Sequence, residues 1–297
     1  MRQHPFFGLG LALFGALILS PDAMLMRLSY MNGPQMMAWR GLCMGAVMLI
    51  GWLLLSRSRR ADLRAALSGF GLLIIGCQCL NSTLFSAGIA TAPAAVVLFG
   101  IATVPVFAAL GSRLLTGERA RPATWAATVA VMTGIGIAVF GGQGERIGFD
   151  LASALGALAG LGVAMVLAIN FVVLRARPEL PIALLFCVGA FCTGAIGTSV
   201  VGPAALLDGR VWAILLTAAV VVPASFFSLS VASRYTAASN VSLLMLLETV
   251  LGPVWVWLAL GEAVGPAMLL GGAIVVGSLA LYLLHERRRM ARGRIFR

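Results

Sequence analysis

Ten apolar runs, each close to the length of a membrane-crossing helix, follow one another with only short polar breaks between them. They cover roughly residues 6–26, 35–55, 65–89, 94–115, 123–140, 150–174, 181–201, 211–232, 238–260 and 264–284 of the 297-residue chain. About 20 apolar residues in a helix cross the hydrocarbon core of a bilayer. The chain is 61% hydrophobic and 10% charged, against about 25% charged residues in an average soluble domain. It therefore lacks the polar surface of a water-facing fold. The expected class is an all-α polytopic membrane protein with ten transmembrane helices. The run 6–26 has the look of a signal peptide, but equally apolar runs continue to the end and make it the first span.

Arginine placement sets the orientation, because cytoplasmic loops retain an excess of basic residues. All 21 basic residues are arginine. With the N-terminus in the cytoplasm, seventeen of them fall in inner segments, among them Arg57, Arg59, Arg60, Arg64, Arg119, Arg121, Arg175 and the six of the tail after His285. Three fall in outer loops, Arg27, Arg146 and Arg210, and Arg40 lies inside the second span. Both termini are thus expected in the cytoplasm, which agrees with an even number of spans. The net charge of +11 is confined to loops and tail. It fits contact with anionic headgroups rather than nucleic acid.

The chain also repeats itself. Thr91-Ala92 and Thr236-Ala237 open corresponding spans, and Gly117-Glu118 and Gly261-Glu262 close them 144 residues apart. The natural division is 1–144 and 145–297, joined at GGQGERIG. Each half holds five spans, an odd number, so the second half must lie inverted relative to the first. Inverted repeats build secondary transporters, whose substrate sites lie near the midplane between the halves.

Within this frame the stretch Ser239 to Glu262 holds the most chemistry. Glu248 falls near the middle of its span, where a charged group costs roughly 2.5–3.5 kcal/mol on insertion scales and is usually functional. Pro253, five residues on, frees the carbonyl of Thr249. On a continuous helix Ser242, Met245, Glu248, Thr249 and Gly252 share one wedge. The plain structural alternative is that Glu248 only satisfies backbone groups loosened by Pro253. Asp22 and Arg40 lie at similar depth in neighbouring antiparallel spans and are expected to form a structural ion pair, since a buried charge needs a partner. Gln78, Asn81, Ser82 and Asn170 are uncharged polar groups in apolar helices, able to bond a zwitterion or a neighbouring helix. Phe99, Phe226 and Phe227 are candidate aromatic lining. Gly41-xxx-Gly45 and Gly156-xxx-Gly160 read as close packing of helices. The five cysteines, all within apolar runs, read as small packing residues.

A proline-containing span, Gly-Glu, a short polar turn and a glycine-rich last span occur twice. The two copies are VPVFAALGSRLLTGERARPATWAATVAVMTGIGIAVF and LLETVLGPVWVWLALGEAVGPAMLLGGAIVVGSLALYL. This pattern, with RYTAASNVSLLMLLE and the arginine of MMAWRGLCMGAVMLI, resembles the EamA-type drug/metabolite transporters over the whole chain. The resemblance implies ten helices in two inverted five-helix repeats. It implies export or exchange of small metabolites, often amino acids, across a bacterial inner membrane, with an aromatic amino-acid exporter as the first comparison. It further implies a cavity lined by helices 1, 3, 4, 6, 8 and 9. Interior prolines at Pro21, Pro105, Pro223 and Pro253 fall in four of those six, and are read as gating bends. Many members carry proline where this chain has Thr249, which shifts the expected kink to Pro253.

Other function classes lack parts. There is no phosphate-binding loop and no lysine at all, which argues against ATP coupling within the chain. His4 and His285 lie outside the membrane core, and no H-E-x-x-H or G-x-S-x-G occurs, which argues against an intramembrane enzyme. A non-transporting assembly protein would be packed solid between its halves. The expectation is a secondary transporter of a small neutral metabolite, foremost an aromatic or other apolar amino acid. Gln78, Asn81, Phe99, Asn170, Phe226, Ser242, Met245 and Glu248 are the expected substrate contacts. No cofactor or metal is expected, and the partners are the substrate and the lipid bilayer.

Overall fold

The computed structural model describes residues 5–92, 94–140, 151–202, 205–260 and 266–295. The expected join at 144/145 and the second Gly-Glu pair, Gly261-Glu262, lie outside the described residues. Among those described, all regular structure is helical. Seven helices are long and apolar enough to cross a membrane: Phe7–Ser29, Gly33–Leu55, Gly69–Thr91, Val96–Leu115, Ala154–Ala176, Ile182–Val201 and Val211–Tyr235. Pro122–Ile137, Ala238–Gly252 and Leu269–His285 are shorter apolar helices. Large aliphatic side chains such as Leu54, Leu55 and Leu114 stand exposed on the outside, as expected of helices whose outer faces meet lipid. The protein is a polytopic membrane protein.

The elements in chain order are α1 (Pro5–Leu19), α2 (Asp22–Ser29), α3 (Gly33–Leu55), α4 (Arg59–Ala66), α5 (Gly69–Thr91), α6 (Ala94–Ile101), α7 (Val104–Leu115) and α8 (Pro122–Phe140). Then follow α9 (Leu151–Ala176), α10 (Ile182–Val201), α11 (Val211–Leu216), α12 (Val222–Tyr235), α13 (Ala238–Met245), α14 (Leu247–Leu260) and α15 (Pro266–Ile295). Three apolar runs are each split into two helices, α1/α2, α6/α7 and α13/α14. A fourth carries a π-helical segment, Thr217–Val221, between α11 and α12.

Prolines account for three of these irregularities. Pro21 stands in the α1/α2 break, Pro105 is the second residue of α7, and Pro223 is the second residue of α12, which begins where the π segment ends. The fourth differs from expectation. The last broken run is interrupted at Leu246, and α14 continues through Pro253. The cause is local hydrogen bonding. Leu246 N–H donates to Leu243 O and Thr249 N–H to Leu246 O, both tight three-residue bonds. The Thr249 hydroxyl also donates to Leu246 O at 2.7 Å. The same device recurs at the other two breaks, where Ser20 Oγ donates to Leu17 O and Thr103 Oγ1 to Gly100 O, each at 2.7 Å. A hydroxyl that bonds back to its own helix competes with the regular ladder and bends it.

The principal packing partners cross between the two halves of the chain. α3 packs on α10, α8 on α15, α1 on α12, α5 on α9, and α6 and α7 on α9; α13 packs on α7 and α1. In lipid such contacts rest on close approach rather than on a hydrophobic drive, and the α3–α10 pair shows how close. A methyl group built on Gly41 would strike the backbone of Gly194 and the carbonyl of Ala190. Gly41→Ala is therefore expected to cost roughly 1–3 kcal/mol through overpacking. Gly51→Ala, on the same helix with open space around it, serves as the control. Thermal unfolding of the two variants in detergent checks this, with a lowered transition expected only for Gly41→Ala.

Candidate functional site

The breaks meet at one central cavity. Leu19 and Asp22 flank the α1/α2 break, Ile101 precedes the α6/α7 break, Met245 and Glu248 flank Leu246, and Val222 follows the π segment; all six line the cavity. Arg40 and Met44 of α3 close it on one side, with Gln78, Asn81, Ser82 and Phe85 of α5. Val163 and Leu167 of α9 and Phe226 of α12 close it on the other. Both halves of the chain thus contribute to its wall. Its volume is about 40 Å³, room for about three waters. The cavity is contracted here and must widen before a metabolite can occupy it.

Its charges are unevenly satisfied. Arg40 Nη1 donates to both oxygens of Asp22, at 2.6 and 2.9 Å, and reaches the Thr217 hydroxyl at 3.4 Å. Thr217, at the start of the π segment, donates in turn to Asp22 Oδ1. The Phe85 ring covers the guanidinium at 5.5 Å. Arg40 Nε and Nη2 make no hydrogen bond among the described residues. Glu248, 7% exposed, likewise has no hydrogen-bond partner there, and it shares the cavity wall with Asp22 and Arg40. Gln78 Nε2 leans on the Met44 sulfur at 3.8 Å, while its Oε1 is buried without a partner.

Of the eight expected substrate contacts, Gln78, Asn81, Phe226, Met245 and Glu248 line this cavity. Three stand elsewhere. Phe99 packs with the apolar cluster of α8 and α15, against Gly136, because Val97 and Gly100 are the residues α6 turns toward α9. Ser242 is fully buried and its hydroxyl returns to Ser239 O at 3.0 Å. The wedge that joined it to Glu248 assumed a continuous helix, and the break at Leu246 divides it. Asn170 lies about one turn beyond Leu167 along α9, 1% exposed, with neither amide atom paired. Sequence reasoning missed Thr217 and the cover of Phe85. Neither carries a spacing signal, and both reach Arg40 only through tertiary packing.

A second and larger cavity, about 500 Å³, lies along the same helices. Leu9 of α1, Arg175 of α9, Tyr235 of α12 and Asn240 of α13 line it, with Glu118, Arg119 and Arg121 from the α7–α8 turn. Arg175 ties its wall together. It donates to both oxygens of Glu118, at 2.6 and 2.9 Å, and to Thr236 O at 2.8 Å. Between the two cavities each of these helices advances five to ten residues, roughly 8–15 Å. Asn170 and Ser230 hold unpaired buried polar atoms within the helical segments of that interval.

The model of the EamA-like transporter family matches residues 6–140. A solved crystal structure covers 94% of this chain and 98% of its own at a TM-score of 0.75 and 20% identity, a likeness of fold. The search of curated proteins gave no match.

Proposed function

We propose that the chain, whose residues 6–140 match the model of the EamA-like transporter family, is a secondary transporter with ten transmembrane helices in two inverted five-helix repeats. It exports or exchanges small neutral metabolites, foremost aromatic or other apolar amino acids, by alternating access across a bacterial inner membrane. Both termini are cytoplasmic. The division into 1–144 and 145–297 is supported by the packing. Exchanging every span with the one five places along turns the α5–α9 contact into α1–α12 and the α7–α9 contact into α13–α1, and returns α3–α10 and α8–α15 to themselves. The breaks agree. Ala102 and Leu246 stand 144 positions apart, the spacing of the two Gly-Glu pairs.

The observation that carries the reading is the central cavity, walled by both halves and holding Arg40, Glu248 and two amides at membrane depth. A scaffold has no use for a partnerless group such as Gln78 Oε1 there, since it costs about 1–3 kcal/mol. The larger cavity is rimmed by Arg119, Arg121 and Arg175, which the arginine bias puts at the cytoplasmic side. It is read as the cytoplasmic approach to the site. The test is uptake and counterflow in liposomes carrying the purified chain, over a panel of labelled amino acids and multiply charged anions. Saturable movement of an apolar or aromatic amino acid is expected. Movement of a dicarboxylate or sugar phosphate with none of any amino acid would reject the substrate reading.

A further inference from the structure

We propose that the cavity reads the two charges of an α-amino acid separately, with Arg40 taking the carboxylate and Glu248 the ammonium group. This rests on the reading of the cavity as the transport site. Asp22 and Thr217 engage only one nitrogen of Arg40, Nη1. The guanidinium is thereby fixed in place, with Phe85 over its face, while Nε and Nη2 keep their donors. Two N–H groups on one guanidinium match the two oxygens of a carboxylate. Arg40 is 7% exposed and lines the cavity, so the surface it keeps faces that space.

Glu248 supplies the opposite charge. It enters the same cavity from α14, in the other half of the chain, and has no hydrogen-bond partner among the described residues. Asp22 does not substitute for it, because both Asp22 oxygens are spent on Arg40. With Asp22 and Arg40 paired, Glu248 is the lining acid left without a cationic partner, and an ammonium group supplies one. Leu19, Ile101, Val222 and Phe226 then leave an apolar remainder for the side chain. Each end of the ligand is held from a different half, so binding the zwitterion draws the two halves together.

The test is competition binding to the full-length chain in detergent, using L-phenylalanine, its amide, phenethylamine and 3-phenylpropionate. Wild type is expected to bind L-phenylalanine roughly ten-fold or more tightly than any analogue lacking one charge. Glu248→Gln is expected to bring phenylalanine and 3-phenylpropionate to within about two-fold of each other while the preference over the amide persists. Arg40→Gln alone leaves Asp22 unpaired, so the carboxylate side is tested in Asp22→Asn/Arg40→Gln, which keeps a neutral hydrogen-bonded pair. That variant should lose the preference for phenylalanine over its amide and keep the preference over 3-phenylpropionate. Wild-type ratios in either variant overturn the proposal, as does a wild-type protein that binds the amide as well as the amino acid. If phenylalanine is bound and transported but the ratios do not move, the charge reading alone fails. If no amino acid binds at all, the transport-substrate reading fails and takes this one with it.

Discussion

Arg40→Ala should sharply reduce the yield of folded protein, and Asp22→Ala should do the same. Their side chains are 8% and 2% exposed and joined at 2.6 Å, and removing one partner of such a pair leaves an uncompensated buried charge. That loss is worth about 3–5 kcal/mol, a large share of the stability of any folded domain. The pair itself need not stabilise, because desolvating both ions offsets much of their attraction. The double change Asp22→Ala/Arg40→Ala is therefore expected to recover part of the folded yield while still failing to bind substrate. Thr217 belongs to the same network through its bond to Asp22, so Thr217→Val should show a smaller loss. Size-exclusion profiles and thermal unfolding in detergent measure all four. Normal folding of either single alanine variant contradicts the structural part of this assignment.

Glu248→Gln has the opposite signature, a sound fold with transport reduced roughly ten-fold or more. No described group depends on Glu248 for a hydrogen bond. The carbonyl exposed by the break at Leu246 is served by the Thr249 hydroxyl instead. Glutamine keeps the size and most of the polarity but removes the negative charge. A charge-assisted bond is about twice as strong as a neutral one, and in a poorly solvated site the difference is felt in full. Folded yield within the normal range together with loss of counterflow is the expected pair of results. Wild-type kinetics in this variant would remove Glu248 from the site.

The helical class and the approximate positions of the spans were legible because lipid demands long apolar runs. Three of the four helix irregularities were legible because proline cannot donate to the helix. The fourth was not. Thr249 is one of many hydroxyl residues in apolar helices, and nothing in the sequence says which of them will bond back to its own carbonyl. Reading Ser242 to Gly252 as one continuous helix with its kink at Pro253 misplaced Ser242, whose hydroxyl bonds back to Ser239 O. Phe99 was misplaced for a related reason: aromatic character does not say which face of α6 meets α9. Asp22 and Arg40 were paired from depth alone. Their opening onto the cavity, with two donors of Arg40 unspent, arises from the packing of α2, α3 and α5.

As a transporter, the protein opens its cavity alternately to the two sides of the membrane in the proposed cycle. Met245, on α13 beside the break, lines it and is 5% exposed. The direct measurement is labelling of Met245→Cys by a membrane-impermeant thiol reagent, after replacement of Cys43, Cys77, Cys79, Cys187 and Cys192, in sealed right-side-out and inside-out vesicles. The expected result is labelling from both sides, slowed by a transported amino acid from each. Labelling from one side only, or from neither under conditions where the protein transports, would contradict it.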